Sequence, residues 1–511
     1  MRLKKSLKNS TYAVIMQFLT IVLAFAVRTI FIKTLDVKYL GVNGLFTNIL
    51  SILSLSELGL GTAITFSLYK PLAENNKPEI CMLMALVKKL YRVISITVMG
   101  IGLLILPFLD FFIKDSPDIP NLKFIYFLYL LNVSLSYLYS HKRIILFADQ
   151  KDYLNILNKG IANFLKSVIQ IIILLYFQSF IYYLITQFVC LFLSNVVISR
   201  KVDKEYKYLN SENITKMDKN RKRELIKKCY ALFFHKIGYV VVFSTDNILI
   251  AKYIGLSWTG LYSNYVLIIN VVKTFLNQML GGITGSVGNL NYTATTEKKY
   301  EIFNIVMFVY FWIYGFSVIS LCILLNPFIE LWIGKEYLID QPIILVALVN
   351  VFVSGMRQPT NTFKTSLGLV WVDRYKPIAE AVINLVLSII LLKSMGLIGV
   401  FLGTLISTIT TSFWIDPVVL FRHQYPDKIW QYFIRYFIYT MTVVIAGSIT
   451  WFVAYQIDGN TILIFIIRMF ICLIIPNILF ACCYCRTKRF LYLYNLLKNT
   501  FSKFISKYNF L

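Results

Sequence analysis

The chain has 511 residues, of which 58% are hydrophobic and 15% charged. A soluble domain carries about 25% charged residues, so a soluble enzyme, a disordered chain and a nucleic-acid-binding domain are excluded. Lys and Arg outnumber Asp and Glu by 51 to 25, a formal net charge of +26. In a membrane chain that excess points first to basic loops on one side of the bilayer and second to an anionic partner.

A helical span needs ~20 mostly apolar residues, and fourteen segments of the chain qualify. In order they lie near 11–33, 43–69, 91–113, 123–141, 161–177, 179–199, 230–252, 260–285, 304–329, 342–363, 377–395, 397–421, 430–455 and 461–485. The runs are long and continuous, which favours helices over the ~10-residue alternation of a barrel. The fold expected is therefore all-α and polytopic. The first run is too long for a cleaved leader and no small-x-small site follows it. Connections such as Gln178–Ser179 and Met395–Gly396 imply tight helical hairpins.

With the N-terminus placed in the cytoplasm, 39 of the 51 Lys and Arg fall in the tails and alternate loops on that side, and seven on the other. Five more were assigned to spans: Arg28, Lys236, Lys273, Arg357 and Arg468. The split predicts cytoplasmic termini and a cytoplasmic mid-chain linker that contains Lys219–Lys228. The linker reads as a solvated connection near anionic headgroups. The division expected is 1–205, a six-helix lobe; 206–228, the basic linker; 229–425, a second six-helix lobe; and 426–511, two further helices with a basic tail.

The two halves show weak self-similarity. Lys33-Thr-Leu-Asp-Val-Lys-Tyr-Leu-Gly41 lies over Lys252-Tyr-Ile-Gly-Leu-Ser-Trp-Thr-Gly260 without a gap. Glu57-Leu-Gly-Leu-Gly61 lies near Gln278-Met-Leu-Gly-Gly282. Six spans separate the copies, and an even number keeps the same membrane orientation, as in a parallel repeat.

Polar groups at membrane depth usually face a cavity or a partner. Stripes at helical spacing run through Gln17, Thr20 and Arg28; Thr47, Ser51, Ser54 and Glu57; His235, Tyr239 and Asp246; Asn270, Lys273 and Asn277; and Asn350, Ser354, Arg357, Asn361 and Lys364. Their functional reading is a wet cationic cavity. Arg28, Arg357, Lys273 and Lys364 would hold a pyrophosphate, since Arg offers a planar fork to phosphate oxygens and Lys a mobile point charge. Gln17, Ser54, Asn270, Asn277, Ser354 and Asn361 would line it. The competing role is glue between helices, and Lys364 could also snorkel. The acids singled out at depth are Glu57 and Asp246, as ion-coupling groups or ion-pair partners. The repeat register brings Arg28 opposite Asn247 and so close to Asp246.

The span charges, counted as five basic against two acidic, favour an anionic cargo over a cationic drug. The expected outer loops are short and contain no Arg, which argues against a sugar-polymerising enzyme. No cofactor motif and no Cys/His metal spacing is expected, and the eight cysteines read as small packing groups.

Three stretches carry a family likeness: Phe31-Ile-Lys-Thr-Leu-Asp-Val-Lys-Tyr-Leu-Gly-Val-Asn-Gly-Leu-Phe46, Leu53-Ser-Leu-Ser-Glu-Leu-Gly-Leu-Gly-Thr-Ala63, and Asp246-Asn-Ile-Leu-Ile-Ala-Lys-Tyr-Ile-Gly255 with Gly260-Leu-Tyr-Ser-Asn-Tyr265. They resemble the first, second and seventh spans of the polysaccharide transporter branch of the multidrug/oligosaccharidyl-lipid/polysaccharide exporters, the O-antigen and capsule repeat-unit flippases. The resemblance implies two six-helix lobes around a central cavity and alternating access. It also implies a cargo of undecaprenyl-pyrophosphate-linked oligosaccharide, crossing a bacterial plasma membrane beside other polysaccharide-assembly proteins. A lipid II-type flippase and a drug or cation antiporter of the same fold are the alternatives.

Overall fold

The computed structural model describes residues 2–54, 60–114, 119–210, 244–495 and 498. The described chain is helical, and eleven of its helices are long and apolar enough to cross a membrane. The described helices are α1 (Arg2–Thr34), α2 (Val37–Leu53), α3 (Leu60–Ala73), α4 (Lys77–Ile105), α5 (Leu122–Ala148), α6 (Tyr153–Phe177), α7 (Phe180–Glu205), α8 (244–253), α9 (Leu256–Thr293), α10 (Thr296–Ile333), α11 (Gln341–Ser366), α12 (Lys376–Met395), α13 (Leu397–Thr410), α14 (Ser412–Gln424), α15 (Ile429–Ala454) and α16 (Ile462–Tyr484). These helices fall on the fourteen expected spans, the second and seventh only in part, because 55–59 and 211–243 lie outside the described residues. Glu57, His235 and most of the 206–228 linker also lie outside them.

Local chemistry explains the helix ends. Asp36 ends the α1–α2 turn by accepting from the Lys38 N–H at 2.8 Å. At α4, Asn76 accepts from the Glu79 N–H and donates to the Glu79 carboxylate, a reciprocal cap with Pro78 in the first turn. Gln178, with φ 47°, turns α6 into α7 through two residues. Gly334, at φ 116°, stops α10.

The chain divides into two compact units. The first comprises Met1–Ser263 and Arg374–Val400, the second Asn264–Asp373 and Phe401–Leu511.

In the first unit, α1 packs along α6, α5 along α4 and α7, and α6 along α7. The starts of α2 and α9 meet backbone to backbone. A Cβ on Gly41 would sit 2.0 Å from the Leu256 carbonyl oxygen, and one on Gly260 2.3 Å from that of Val37. The contact is reciprocal, and Gly41 and Gly260 are the very positions that the sequence repeat superposes. Only glycine leaves room for this approach.

In the second unit, α10 packs on α11, α15 and α16. Phe308, Phe311, Tyr439, Phe480 and Tyr484 form an aromatic cluster there, with Phe311 stacked on Tyr439 at 4.3 Å. Prolines 327, 359, 417 and 476 stand inside α10, α11, α14 and α16, where each removes a backbone hydrogen bond.

Candidate functional site

Arg28 stands near the C-terminal end of α1. Its Nη2 donates to the Ser263 hydroxyl at 2.8 Å and to the Ser263 carbonyl at 3.0 Å. Its Nε is buried without an acceptor. The phenols of Tyr183 and Tyr129 stand close enough to act on it, and Tyr129 donates to Asn43 Oδ1 at 2.5 Å. No carboxylate reaches Arg28 among the described residues. The Asp246 contact suggested by the repeat register is not made there; Asp246 instead lies near the Tyr262 hydroxyl. Of the other predicted groups on α1, Thr20 bonds back to the Met16 carbonyl at 2.7 Å and Gln17 is half-buried. Ser54 closes α2 on the Leu50 carbonyl at 2.7 Å.

A second polar seam in this unit runs between α6 and α7. Asn158 donates to the Ser194 hydroxyl at 2.8 Å, and Arg143 of α5 donates to Asn195 Oδ1 at 2.9 Å. Gln170 donates to the Tyr183 carbonyl at 3.2 Å. Lys166 lies between these levels, half-buried, with the Cys190 thiol nearby. Sequence reading counted Lys166 with the basic residues of the loop 142–166, although the fifth expected span began at 161. The helix in fact starts at Tyr153. The steps Asn155, Asn158, Lys166 and Gln170 were the signal that would have found it.

The second unit holds the α11 stripe. Arg357 Nη2 donates to Asp416 Oδ2 at 3.2 Å, and Lys364 Nζ to Asp373 Oδ2 at 2.5 Å and to Asp416 Oδ1. The Lys364 side chain is 3% exposed and that of Asp416 0%. Lys364 therefore does not snorkel. It sits between two carboxylates that the sequence reading passed over, although Asp416 lies inside the twelfth expected span. Glu380, buried in α12, was missed in the same way, so the tally of five basic against two acidic span charges understates the acids. Asn350 donates to the Phe401 carbonyl at 2.9 Å. Ser354 and Asn361 are half-buried on the Arg357 side of α11. On α9, Lys273 is half-buried, while Asn270 and Asn277, one turn to either side, are exposed.

Among the described residues no cluster of three His, Cys, Asp or Glu is arranged to hold a metal. Cys482 and Cys485 are spaced as Cys-x-x-Cys at the end of α16, a pair the sequence reading overlooked; both are exposed and free.

No protein-family model matches the chain, and no curated relative does. Solved structures do. The lipid II flippase MurJ, in an inward closed conformation, aligns with a TM-score of 0.66 at 14% identity over 92% of this chain and 98% of that one. An inward-facing multidrug resistance MATE family transporter of the MOP superfamily aligns at 0.58 and 14%, over 82% and 98%. A MOP superfamily transporter from Pyrococcus furiosus aligns at 0.54 and 13%, over 84% and 96%. At these identities the likeness establishes the fold: an all-α, multi-pass membrane architecture of the kind these transporters share.

Proposed function

We propose that the chain is a membrane flippase that carries an undecaprenyl-pyrophosphate-linked oligosaccharide repeat unit from the cytoplasmic to the outer leaflet by alternating access, for surface polysaccharide synthesis. The observation that carries this reading is Arg28: a guanidinium inside an apolar helix, bonded to the neutral Ser263, with a buried Nε still unpartnered. Charge at membrane depth is expensive, and a guanidinium with a free donor and no carboxylate among the described residues suits a phosphate that comes and goes. The fold of a lipid II flippase, whose cargo is also lipid-linked, supports the same class of cargo.

In this reading Arg28, Arg357, Lys273 and Lys364 hold the pyrophosphate, Arg357 and Lys364 by exchanging carboxylate for phosphate. Gln17, Ser54, Asn270, Asn277, Ser354 and Asn361 line the path, and Asp246 or Glu57 couples transport to an ion. The two six-helix lobes are 1–205 and 229–425, both termini are cytoplasmic, and the membrane is the bacterial plasma membrane. A lipid II-type flippase is the second reading, favoured by the MurJ likeness over 92% of the chain. The deciding experiment offers purified protein in liposomes two fluorescent cargoes, a polyprenyl-pyrophosphate oligosaccharide and lipid II. Faster flipping of the first supports the proposal. Preference for lipid II selects the alternative, and proton-driven efflux of a cationic dye with neither cargo moved overturns both.

A further inference from the structure

The molecule treats its lysines in two ways. At the end of α7, Lys142 of α5 pairs with Asp203 at 2.5 Å and Lys151, in the turn before α6, with Glu205 at 2.6 Å. In the second unit Lys364 lies between two aspartates. Lys166, midway along α6, meets no carboxylate among the described residues; the titratable group found beside it is the Cys190 thiol. A lysine kept for packing alone would be costly there, and Lys142 and Lys151 show how such a charge is neutralised by the acids at the end of α7.

The groups around Lys166 are arranged in levels. Antiparallel packing of α6 and α7 sets Asn158 against Ser194, Lys166 against Cys190, and Gln170 against Tyr183. Arg143 joins the first level through Asn195 and Ser194, and its Nη1 is buried without an acceptor. The Asp152 carboxylate is near enough to act on Arg143, and it accepts from Asn155. Arg28 joins the last level, where it acts on Tyr183. At ~1.5 Å of rise per residue, the Asn158 and Lys166 levels are about 12 Å apart and the Lys166 and Gln170 levels about 6 Å. The flexible four-carbon stem of lysine lets one ammonium serve both gaps.

We propose that the α6–α7 seam is an anion track, on which Arg143 and then Lys166 hold the phosphate of a lipid-linked cargo before Arg28 receives it. The proposal rests on the flippase reading and adds to it an ordered route through the first unit. Phosphate is the chemistry named. It could come from a polyprenyl pyrophosphate or from a phospholipid headgroup, and the test separates them.

The full-length protein in nanodiscs is titrated with farnesyl pyrophosphate and, separately, with phosphatidylglycerol, and flipping of a fluorescent polyprenyl-pyrophosphate glycan is followed in liposomes. Lys166→Met should weaken farnesyl pyrophosphate binding about tenfold or more, as loss of one charge-assisted contact predicts, and slow flipping. Lys166→Arg should restore most of both. The melting temperature of Lys166→Met should stay near wild type, because no carboxylate is stranded. If wild type binds no farnesyl pyrophosphate, the flippase reading falls and the track with it. If wild type binds it and Lys166→Met binds and flips equally well, the track alone falls. If Lys166→Met loses only phosphatidylglycerol, the seam is a lipid-headgroup site and the proposal is overturned.

Discussion

Two pairs of cations, one pair in each unit, live under different rules. In the second unit Arg357 and Lys364 sit with Asp416 and Asp373, so their charge is matched within the fold. In the first, Arg28 and Lys166 meet hydroxyl, carbonyl, phenol and thiol groups. A buried pair is costly to break from one side, because the abandoned charge has nowhere to go. A cation among neutral groups can be removed with little structural loss, but it takes its binding capacity with it. The α11 site thus holds charge as structure and the Arg28 and Lys166 sites hold it as capacity, and substitutions should split along that line.

The largest effect is expected at Lys364. Lys364→Met takes the ammonium from two buried aspartates, of which Asp416 keeps Arg357, and should cost about 3–5 kcal/mol, read as a steep fall in melting temperature and in folded yield. A variant as stable as wild type would show that the carboxylates simply take up protons, and the contrast between the units would dissolve. Arg28→Ala should do the reverse. Its folded amount should stay near wild type while transport falls roughly ten- to a hundredfold, from a contact worth about 1.5–3 kcal/mol. Arg28→Lys, which keeps charge but loses the fork, should fall between. Undiminished glycan export by a normally expressed Arg28→Ala protein would remove the capacity role from the first unit.

At the α2–α9 contact, Gly41→Ala and Gly260→Ala should each cost about 1–3 kcal/mol by overpacking. The double variant should cost less than the sum, since one displacement relieves both clashes. Strict additivity in thermal melts would mean that the two contacts are independent.

The smallest effect is at the Lys151 turn. Burial penalises its ammonium, but hydrogen bonds to Asp149 and Glu205 outweigh that and hold the amine above its ordinary range. A raised folded-state value means the stabilisation is complete below the ordinary lysine pKa of 10.5 and fades as pH rises through the folded value. Because the pair is partly exposed, its worth is ~1 kcal/mol or less. The melting difference between wild type and Lys151→Met should be flat from pH 7 to about 10 and close above that. A gap that instead widens with pH would reverse the sign of this argument.

Span positions and the α11 stripe were legible in the sequence because apolar run length and 3.6-residue spacing are local signals. What α11 faces was not. Asp373 stands nine residues past Lys364 and Asp416 another forty-three on, and no periodicity in α11 announces either. Lys166 was hidden among the basic residues of 142–166, which look like a loop until Asp152 and the turn at Gln150 (φ 59°) are seen to begin the helix. The Gly41 and Gly260 register was visible as a faint repeat, but only the backbone approach explains why both copies carry glycine.

The Arg28–Ser263 bond also sets a timetable for biogenesis. Its partners are 235 residues apart in the chain, and ribosomes add about 5–20 residues per second, so roughly ten to fifty seconds separate their appearance. Over that interval α1 is in the membrane with a guanidinium whose eventual acceptor does not yet exist. The first unit is also not complete until 374–400 has been made. The nascent chain must therefore shelter Arg28 by other means, through bilayer water, lipid phosphate or the insertion machinery, and a truncation that ends before Ser263 should leave α1 the least securely inserted of its helices.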